Sequence, residues 1–341
     1  GHNPNLSFVH NTDDDRAVPL TYRPLLFYVC LWIGQMVTDA VFLYMLRFRY
    51  VHVNGLRVWY KIQSAAKQSA ESKPILLIHG LGVHYMPYIP LISKLCRKSA
   101  EHDVFCIEIP WTAMSIWHFV PQSVWSIFSN SPSPSYIDSK LPASKRDFVE
   151  ILQKMEDLIL AQSGKPTRGL CERNEHNPLR FKWTLMGHSY GSFIVSGIYH
   201  YIEHNSSRNV DKSVNLPRLI LLDPVTMCLS QPTTVSFLAL KAPDWTTWFL
   251  QHLVAKELMI ATTLNKYFHW FEYVIFPEDM MNDQVEHCVF TSAKDTLIPS
   301  ELIAKGIDGV NERRSENPGC KQIHHVEFKH MYHAVWMGVP S

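Results

Sequence analysis

The chain has 341 residues, a formal net charge of +1 at pH 7 and 46% hydrophobic residues. This length suffices for one large domain with insertions, and the near-zero charge gives no basis for nucleic-acid binding. The apolar content argues against a disordered chain, and the seven scattered cysteines, none in a C-x-x-C pair, predict buried free thiols in a reducing compartment.

Two segments precede the predicted core. Residues 1–24 are polar and predict a flexible tail, whereas residues 25–47 are apolar over the roughly 20 positions that a membrane-spanning helix needs. Gln35, Thr38 and Asp39 interrupt this segment on one helical face, which is expected to contact the rest of the chain, a partner or water. Three arrangements stay open: a spanning anchor, a helix in the membrane plane, or a helix docked in a complex.

Arginines flank this apolar segment on both sides. Arg16 and Arg23 precede it, and Arg47 and Arg49 follow it closely. By the positive-inside rule, we expect a membrane-associated chain in which the domain that follows residue 47 faces the cytosol.

Residues 48–224 and 286–341 predict an α/β core with a mostly parallel sheet. Alternating apolar residues around Asn54-Gly55, a favoured type I′ turn, predict an opening hairpin over residues 49–62. The next elements predicted from apolar runs and helical periodicity are strands at 75–78 and 102–110 and helices at 89–98 and 143–162.

Residues 225–285 separate two predicted strands and have a helical, strongly aromatic pattern. The aromatic side chains in this segment are Phe237, Trp245, Trp248, Phe249, Phe268, Trp270 and Phe271. We expect a cap over the site, with most of these rings in the cap's own core and a few lining an apolar pocket.

The most informative motif is Gly-His-Ser-Tyr-Gly at residues 187–191, a G-x-S-x-G sequence. A β-prone run at 181–186 precedes it, and a helical pattern follows it. This context predicts a sharp strand-to-helix turn that exposes Ser189 as a nucleophile, with Gly187 and Gly191 allowing the close approach of strand and helix.

A serine hydroxyl needs a base, and the base needs an acid that orients it. Asp295 follows a predicted strand, and His333 follows the last predicted strand, which gives the chain order serine, acid, histidine. The alternative acid is Asp223, which ends another predicted strand, and the alternative base is His330. We favour Asp295 and His333.

The oxyanion of the tetrahedral intermediate needs two backbone N–H donors. One is expected from Tyr190, directly after the nucleophile. The other is expected from Leu81, in the His-Gly-Leu-Gly loop 79–82 that follows a predicted strand.

These motifs together resemble those of the α/β-hydrolase superfamily, over the chain from about residue 48 to its end, and they are similar to a membrane-linked branch found in fungi and other eukaryotes. The motifs that carry the resemblance are IHGLG at 78–82, GHSYG at 187–191, DPV at 223–225, Asp295 and His333. The resemblance implies a Ser-His-Asp hydrolase of no particular substrate. Family members usually carry a final helix, whereas this chain ends eight residues after His333, which leaves the histidine loop with less support.

The predicted function is a membrane-associated serine hydrolase of a lipid-like carboxylic ester, with membrane lipid as its partner. No cofactor is expected because no nicotinamide or phosphate loop occurs, and no metal because the clustered histidines at 324–333 lack a ligand spacing. The alternatives are another serine acyl-transfer enzyme, such as a thioesterase or acyltransferase, and a catalytically silent subunit bound to a membrane complex through residues 25–47.

Overall fold

A computed structural model describes residues 23–62, 73–98, 102–114, 143–163, 178–206, 217–228, 245–264, 272–280, 286–317 and 320–333. Residues 1–22 of the predicted tail lie outside these ranges. So do four of the aromatic residues of the predicted cap: Phe237, Phe268, Trp270 and Phe271. The cysteines in the described ranges are free, but only Cys106, Cys228 and Cys288 are buried as predicted; Cys96 and Cys320 are partly buried and Cys30 is exposed.

One sheet of eight strands organises the described part of the chain. In chain order the strands are β1 (Arg49–Val53), β2 (Leu56–Lys61), β3 (Ile75–Ile78), β4 (Val104–Ile107), β5 (Thr184–His188), β6 (Arg218–Leu222), β7 (His287–Ser292) and β8 (Ile323–Phe328). Their order across the sheet is β1-β2-β4-β3-β5-β6-β7-β8. Strand β2 pairs antiparallel with β1 and β4, and all other pairs are parallel.

The opening hairpin forms as predicted. Asn54 and Gly55 have φ angles of 49° and 78°, the two positive values that a type I′ turn requires. Val53 pairs directly with Leu56, so the turn contains only the Asn-Gly dipeptide.

The helices are α1 (Leu25–Ala40), α2 (Ile89–Lys98), α3 (Lys145–Ser163), α4 (Gly191–Ser206), α5 (Trp245–Phe249), α6 (Leu258–Thr262) and α7 (Ser300–Ser315). One helix, α1, precedes the sheet in the chain, and the others lie between its strands in the chain, where most of them pack on its two faces. A π-helical turn, Val41–Met45, continues α1, and a second one, Leu250–Ala255, follows α5. Strands β3 and β4 are buried at every position, as expected for parallel strands covered on both faces.

Several strand boundaries differ from the sequence prediction, among them those of β4, which covers Val104–Ile107 within the predicted 102–110. The strand before the motif begins at Thr184 rather than Phe181, because the buried Glu156 of α3 accepts the backbone N–H groups of Arg180 and Phe181 and removes them from the sheet. Strand β8 begins at Ile323, three residues before the predicted start at residue 326, since its parallel register with β7 starts at His287. The added residues include His324 and His325, so this part of the strand has no apolar run that would predict it.

The strand order and directions are those of the α/β-hydrolase fold, which confirms the predicted fold class, including the antiparallel opening hairpin and the N-terminal apolar helix. Because β3, β5, β6, β7 and β8 run parallel, their carboxyl ends meet at one edge of the sheet, where such sheets bind ligands. Helices α5 and α6 fall within residues 225–285, and the division of the chain into core and cap stays a prediction.

Candidate functional site

The turn between β5 and α4 holds Ser189 in a left-handed conformation, with φ at 51°. Such an angle is uncommon for a residue other than glycine and marks a strained position. The Ser189 N–H donates to the Leu222 carbonyl at 2.9 Å, which anchors the turn to β6. A Cβ on Gly187 would lie 2.6 Å from the Gly191 carbonyl oxygen, and one on Gly191 would clash with the Ile78 carbonyl, so both glycines are needed for this close packing.

The predicted nucleophile, base and acid lie in one hydrogen-bonded row. His333 Nε2 lies 3.0 Å from Ser189 Oγ, and His333 Nδ1 lies 2.6 Å from Asp295 Oδ2. Asp295 accepts at Nδ1, so this nitrogen carries the proton and Nε2 faces the serine hydroxyl as an acceptor. The arrangement is the one in which an imidazole removes a serine proton.

The Asp295 carboxylate is fixed by its own loop. Its second oxygen, Oδ1, accepts the backbone N–H groups of Leu297 at 2.8 Å and Ile298 at 3.1 Å. With Oδ1 held in this way, Oδ2 is left aimed at His333. The acid is therefore positioned by backbone groups just after β7 and does not depend on a distant side chain.

Two opposing effects set the pKa of His333. Burial lowers it, but the charge of Asp295 and the hydrogen bond to it, together with the charge of Asp223, raise it to about 9. The imidazolium that forms during proton transfer is therefore stabilised where it is needed, and the resting histidine binds a proton more tightly than a free one does.

The structure separates the favoured residues from their alternatives. Asp223 is buried at the end of β6 with φ at 42°, and its Oδ2 accepts from Ser292 Oγ at 3.2 Å. It contributes charge near His333, while Asp295 makes the hydrogen bond. His330 is exposed to solvent, whereas His333 reaches Ser189.

The loop after β3 uses two of its backbone N–H groups in hydrogen bonds and leaves the one between them without an acceptor among the described residues. Gly80 N–H donates to the Tyr88 hydroxyl at 2.7 Å, and Gly82 N–H donates to the Thr112 carbonyl at 2.8 Å. Leu81 N–H, between them, makes no hydrogen bond to any residue that the structure describes. A Cβ on Gly80 would lie 2.9 Å from Ser189 Cβ, so this loop lies directly against the nucleophile.

The orientation of the Leu81 N–H is set by His79. The Ile109 N–H donates to His79 Nε2 at 3.1 Å, so Nδ1 carries the ring proton and donates to the Gly80 carbonyl at 2.7 Å. In a trans peptide the N–H points away from the C=O, so holding the Gly80 carbonyl fixes the direction of the Leu81 N–H. Burial, with the neighbouring His84, lowers the pKa of His79 to about 4, which keeps the ring neutral.

Tyr190, the other predicted donor, follows Ser189 at the start of α4. Its side chain is buried and lies edge-on to Phe193, with ring centroids 5.6 Å apart. Its backbone N–H lies in the same strand-to-helix turn, residues 187–191 (the elbow), one residue after Ser189.

Sequence reasoning missed the part played by Tyr88 and His188. The Tyr88 hydroxyl accepts from Gly80 N–H and is hydrogen-bonded to His188 Nδ1 at 2.6 Å. Burial raises the pKa of Tyr88 and lowers that of His188, so both are neutral. This bridge ties the loop after β3 to the elbow strand, and no spacing in the sequence indicates it.

Metal-ligating atoms of Asp223, Asp295 and His333 lie within 4.8 Å of one another. Both ring nitrogens of His333 already contact Asp295 and Ser189, so a cation here would displace those hydrogen bonds. We assign no metal to this group.

Solved structures similar to this chain include an esterase from Pyrobaculum calidifontis (11% identity, 92% of this chain and 86% of that one, TM-score 0.49). Others are a carboxylesterase from Bacillus subtilis (13%, 92% and 93%, 0.46) and a thermostable carboxylesterase from a metagenomic library (14%, 93% and 92%, 0.46). No family model and no curated protein sequence matches the chain, so the resemblance to a membrane-linked branch stays a prediction. The chemistry proposed below rests on the geometry of the site and not on these similarities.

Proposed function

We propose that this chain is a serine hydrolase that cleaves a carboxylic ester through an acyl-enzyme. The observation that carries the proposal is the continuous row from Asp295 through His333 to Ser189, with the serine in a left-handed strand-to-helix turn. The loop that carries the Leu81 N–H lies against Ser189, which supports the assignment because acyl transfer needs a donor for the developing oxyanion.

In the proposed mechanism, Ser189 Oγ forms a bond to the ester carbonyl carbon while its proton moves to His333 Nε2. The carbonyl oxygen becomes an oxyanion that the Leu81 and Tyr190 N–H groups stabilise. The C–O bond to the alcohol then breaks, and the imidazolium gives its proton to the leaving oxygen. Water, deprotonated by His333, releases the acid and restores Ser189.

A lipid-like ester is the proposed substrate class. Apolar side chains from α1, the loop after β3, the segment after β4 and the α5–α6 region pack together beside Leu81; they are Phe27, Leu31, Leu81, Val83, Met114, Leu250, Val254, Ile260 and Leu264. This cluster begins next to the proposed oxyanion donor, so a hydrocarbon chain is the natural neighbour of an ester bound there. The head group stays open.

Membrane association, with membrane lipid as partner, is the second part of the proposal. Helix α1 and its π-helical continuation, Leu25–Met45, cover 21 residues and contain a window of 18 residues with a mean hydropathy of 1.7, of which only 17% is buried. A helix of this length and composition is suited to contact with hydrocarbon. Orientation toward the cytosol remains a prediction from the flanking arginines.

The direct test is covalent labelling by a fluorophosphonate in detergent. Wild type is expected to label, and Ser189→Ala is expected to abolish labelling. The matched control is Ser196→Ala, a buried serine two turns further along α4, which should label like wild type. Folded wild type that stays unlabelled would contradict the proposal and favour a silent binding subunit.

A further inference from the structure

The polar face of α1 is bound to the sheet. Gln35 Nε2 donates to Glu108 Oε1 at 3.0 Å, and Asp39 accepts from Arg57 at 2.8 Å. Thr38 is buried and satisfies its hydroxyl within the helix, at the Gly34 carbonyl. The polar positions that make this segment a poor spanning helix are therefore the positions that dock it.

Glu108 is the centre of this contact. It is fully buried after β4 and, besides Gln35, it contacts Arg57 Nε at 2.5 Å and His84 Nε2 at 3.1 Å. Arg57 lies on β2, and His84 lies in the turn after residues 79–82, the proposed oxyanion loop. A buried carboxylate with this many donors fixes its neighbours because any separation would leave charge unpaired.

Both ends of the helix are docked as well as its middle. Near the N-terminal end, Phe27 packs in the apolar cluster beside Leu81, and the Tyr28 hydroxyl donates to Glu257 at 3.2 Å. Near the C-terminal end, Phe42 is fully buried with its ring 5.2 Å from that of Trp59. The contacts run along about 22 Å of helix, so α1 lies against the domain and does not project from it.

The opposite face of α1 is apolar and open to solvent. Leu25 is 78% exposed at one end, Ile33 51% in the middle and Tyr44 80% at the other end. The remaining exposed large apolar residues of this face are Leu26, Val29, Met36, Val37, Leu43 and Met45. A continuous apolar surface of this length on a folded domain marks a contact with hydrocarbon or with another protein.

The charges beside this face favour lipid. Arg47 and Arg49 are exposed where the helix ends, next to the exposed Tyr44 and Tyr50. Arginine binds phosphate and tyrosine favours the headgroup region, so this end matches an anionic membrane surface. Leu258, next to the Glu257 that holds Tyr28, continues the exposed apolar surface onto the α5–α6 region.

We propose that α1 lies in the plane of an anionic membrane, with its polar face locked to the sheet through Glu108 and Arg57 and its apolar face in one leaflet. The inference rests on the proposed membrane association and deepens it. A spanning helix docked along its whole length would carry the sheet into the hydrocarbon, and the in-plane arrangement avoids this. It also places the apolar cluster beside Leu81 next to the lipid from which an ester would enter.

The first test is sedimentation of the purified full chain with vesicles of phosphatidylcholine, with and without phosphatidylserine. Binding is expected, stronger with phosphatidylserine, and Ile33→Ser with Val37→Ser should weaken it about tenfold because two side chains leave hydrocarbon. The matched control is Leu302→Ser, a leucine of similar exposure on α7, which should bind like wild type. Arg47→Glu with Arg49→Glu should remove the preference for phosphatidylserine.

The second test separates an in-plane helix from a spanning one. The chain is made in the presence of sealed microsomes with an epitope tag before residue 1, and protease is then added outside. The in-plane helix predicts that the tag and the catalytic domain are both digested. Protection of either one alone would overturn the proposal, since it would place the two on opposite sides.

Two further outcomes would overturn it. One is a lack of vesicle binding; the other is a stable dimer in light scattering that Ile33→Ser dissociates, which would assign the face to a second copy. Fluorophosphonate labelling of the same samples keeps the two proposals apart. Labelled protein that ignores vesicles contradicts only the in-plane helix, and unlabelled protein that binds them contradicts only the hydrolase.

Discussion

The molecule contains two clusters of charged and polar side chains. Both are built around carboxylates, but one is suited to chemistry and the other to holding two elements together. At the site, the row from Asp295 through His333 ends on the Ser189 hydroxyl, an atom that can react. Beneath α1, the carboxylates of Glu108 and Asp39 end on a guanidinium. A chain of hydrogen bonds that ends on a nucleophile can move a proton, whereas one that ends on an opposite charge can only hold two elements together.

The clusters also differ in how they are fixed. Asp295 is held by backbone N–H groups of its own loop, so its position is local. Glu108 is held by side chains from three other elements, α1, β2 and the turn after the oxyanion loop. We therefore expect changes at Asp295 to affect chemistry with little effect on folding, and changes around Glu108 to do the reverse.

The largest expected effect is at the acid. Asp295→Asn should lower kcat by about 10⁴-fold, because the amide leaves His333 in the wrong tautomer while the geometry stays intact. The measurement is steady-state hydrolysis of a p-nitrophenyl ester. Asp39→Asn is the matched change in the other cluster and should leave kcat unchanged. Equal losses in the two variants would remove the distinction between the clusters.

The second effect tests the docking cluster through stability. Arg57→Met should lower the free energy of unfolding by about 3–5 kcal/mol, since it leaves the buried Glu108 carboxylate and the partly buried Asp39 carboxylate without their cation. Denaturant unfolding measures the change. Arg146→Met, an exposed arginine paired with Glu150 on α3, is the control and should change it by about 0.5 kcal/mol or less. Arg57→Met that unfolds like this control would show that the cluster does not hold α1.

A smaller effect is expected at the bridge between loop and elbow. Tyr88→Phe removes the hydroxyl that accepts from Gly80 N–H, so the oxyanion loop should lose alignment, and kcat should fall roughly tenfold with KM nearly unchanged. Tyr85→Phe is the control because its buried hydroxyl bonds carbonyls of β3 and β4 instead. If kcat falls equally in both variants, the Tyr88 hydroxyl has no specific role in aligning the loop, and the loss reflects core packing alone.

The smallest effect concerns pH. His333 must be neutral to accept the serine proton, and its pKa is raised to about 9, so kcat/KM should rise with pH and level off above that value. Asp223→Asn removes one of the charges that raise this pKa, so the midpoint should move to lower pH. Asp308→Asn, an exposed carboxylate on α7, should leave the profile in place. An unchanged midpoint in Asp223→Asn would mean that its charge does not reach His333.

Local signals in the sequence predicted most of the fold and the members of the site. The Asn-Gly turn predicted the hairpin because it needs positive φ angles that few residues adopt. The glycines around Ser189 predicted the elbow because a Cβ at either position would clash with neighbouring backbone. Chain order selected Asp295 and His333, which lie within hydrogen-bonding distance as expected, and their catalytic roles stay a prediction.

What the sequence could not supply were contacts between distant residues. Nothing in the spacing joins Tyr88 to Gly80 and His188, or Gln35 to Glu108, since such pairs have no period. The apolar segment left three arrangements open for the same reason: its polar face was visible, but the arginine and glutamate that receive it lie on β2 and after β4.

The most direct measurement of the central claim is rapid mixing of the enzyme with a p-nitrophenyl ester, followed by mass mapping of the quenched protein. The account predicts a burst of p-nitrophenol equal to the enzyme concentration and an acyl group on the peptide that contains Ser189, with neither in Ser189→Ala. A burst that persists in Ser189→Ala, or an acyl group on another residue, would contradict it.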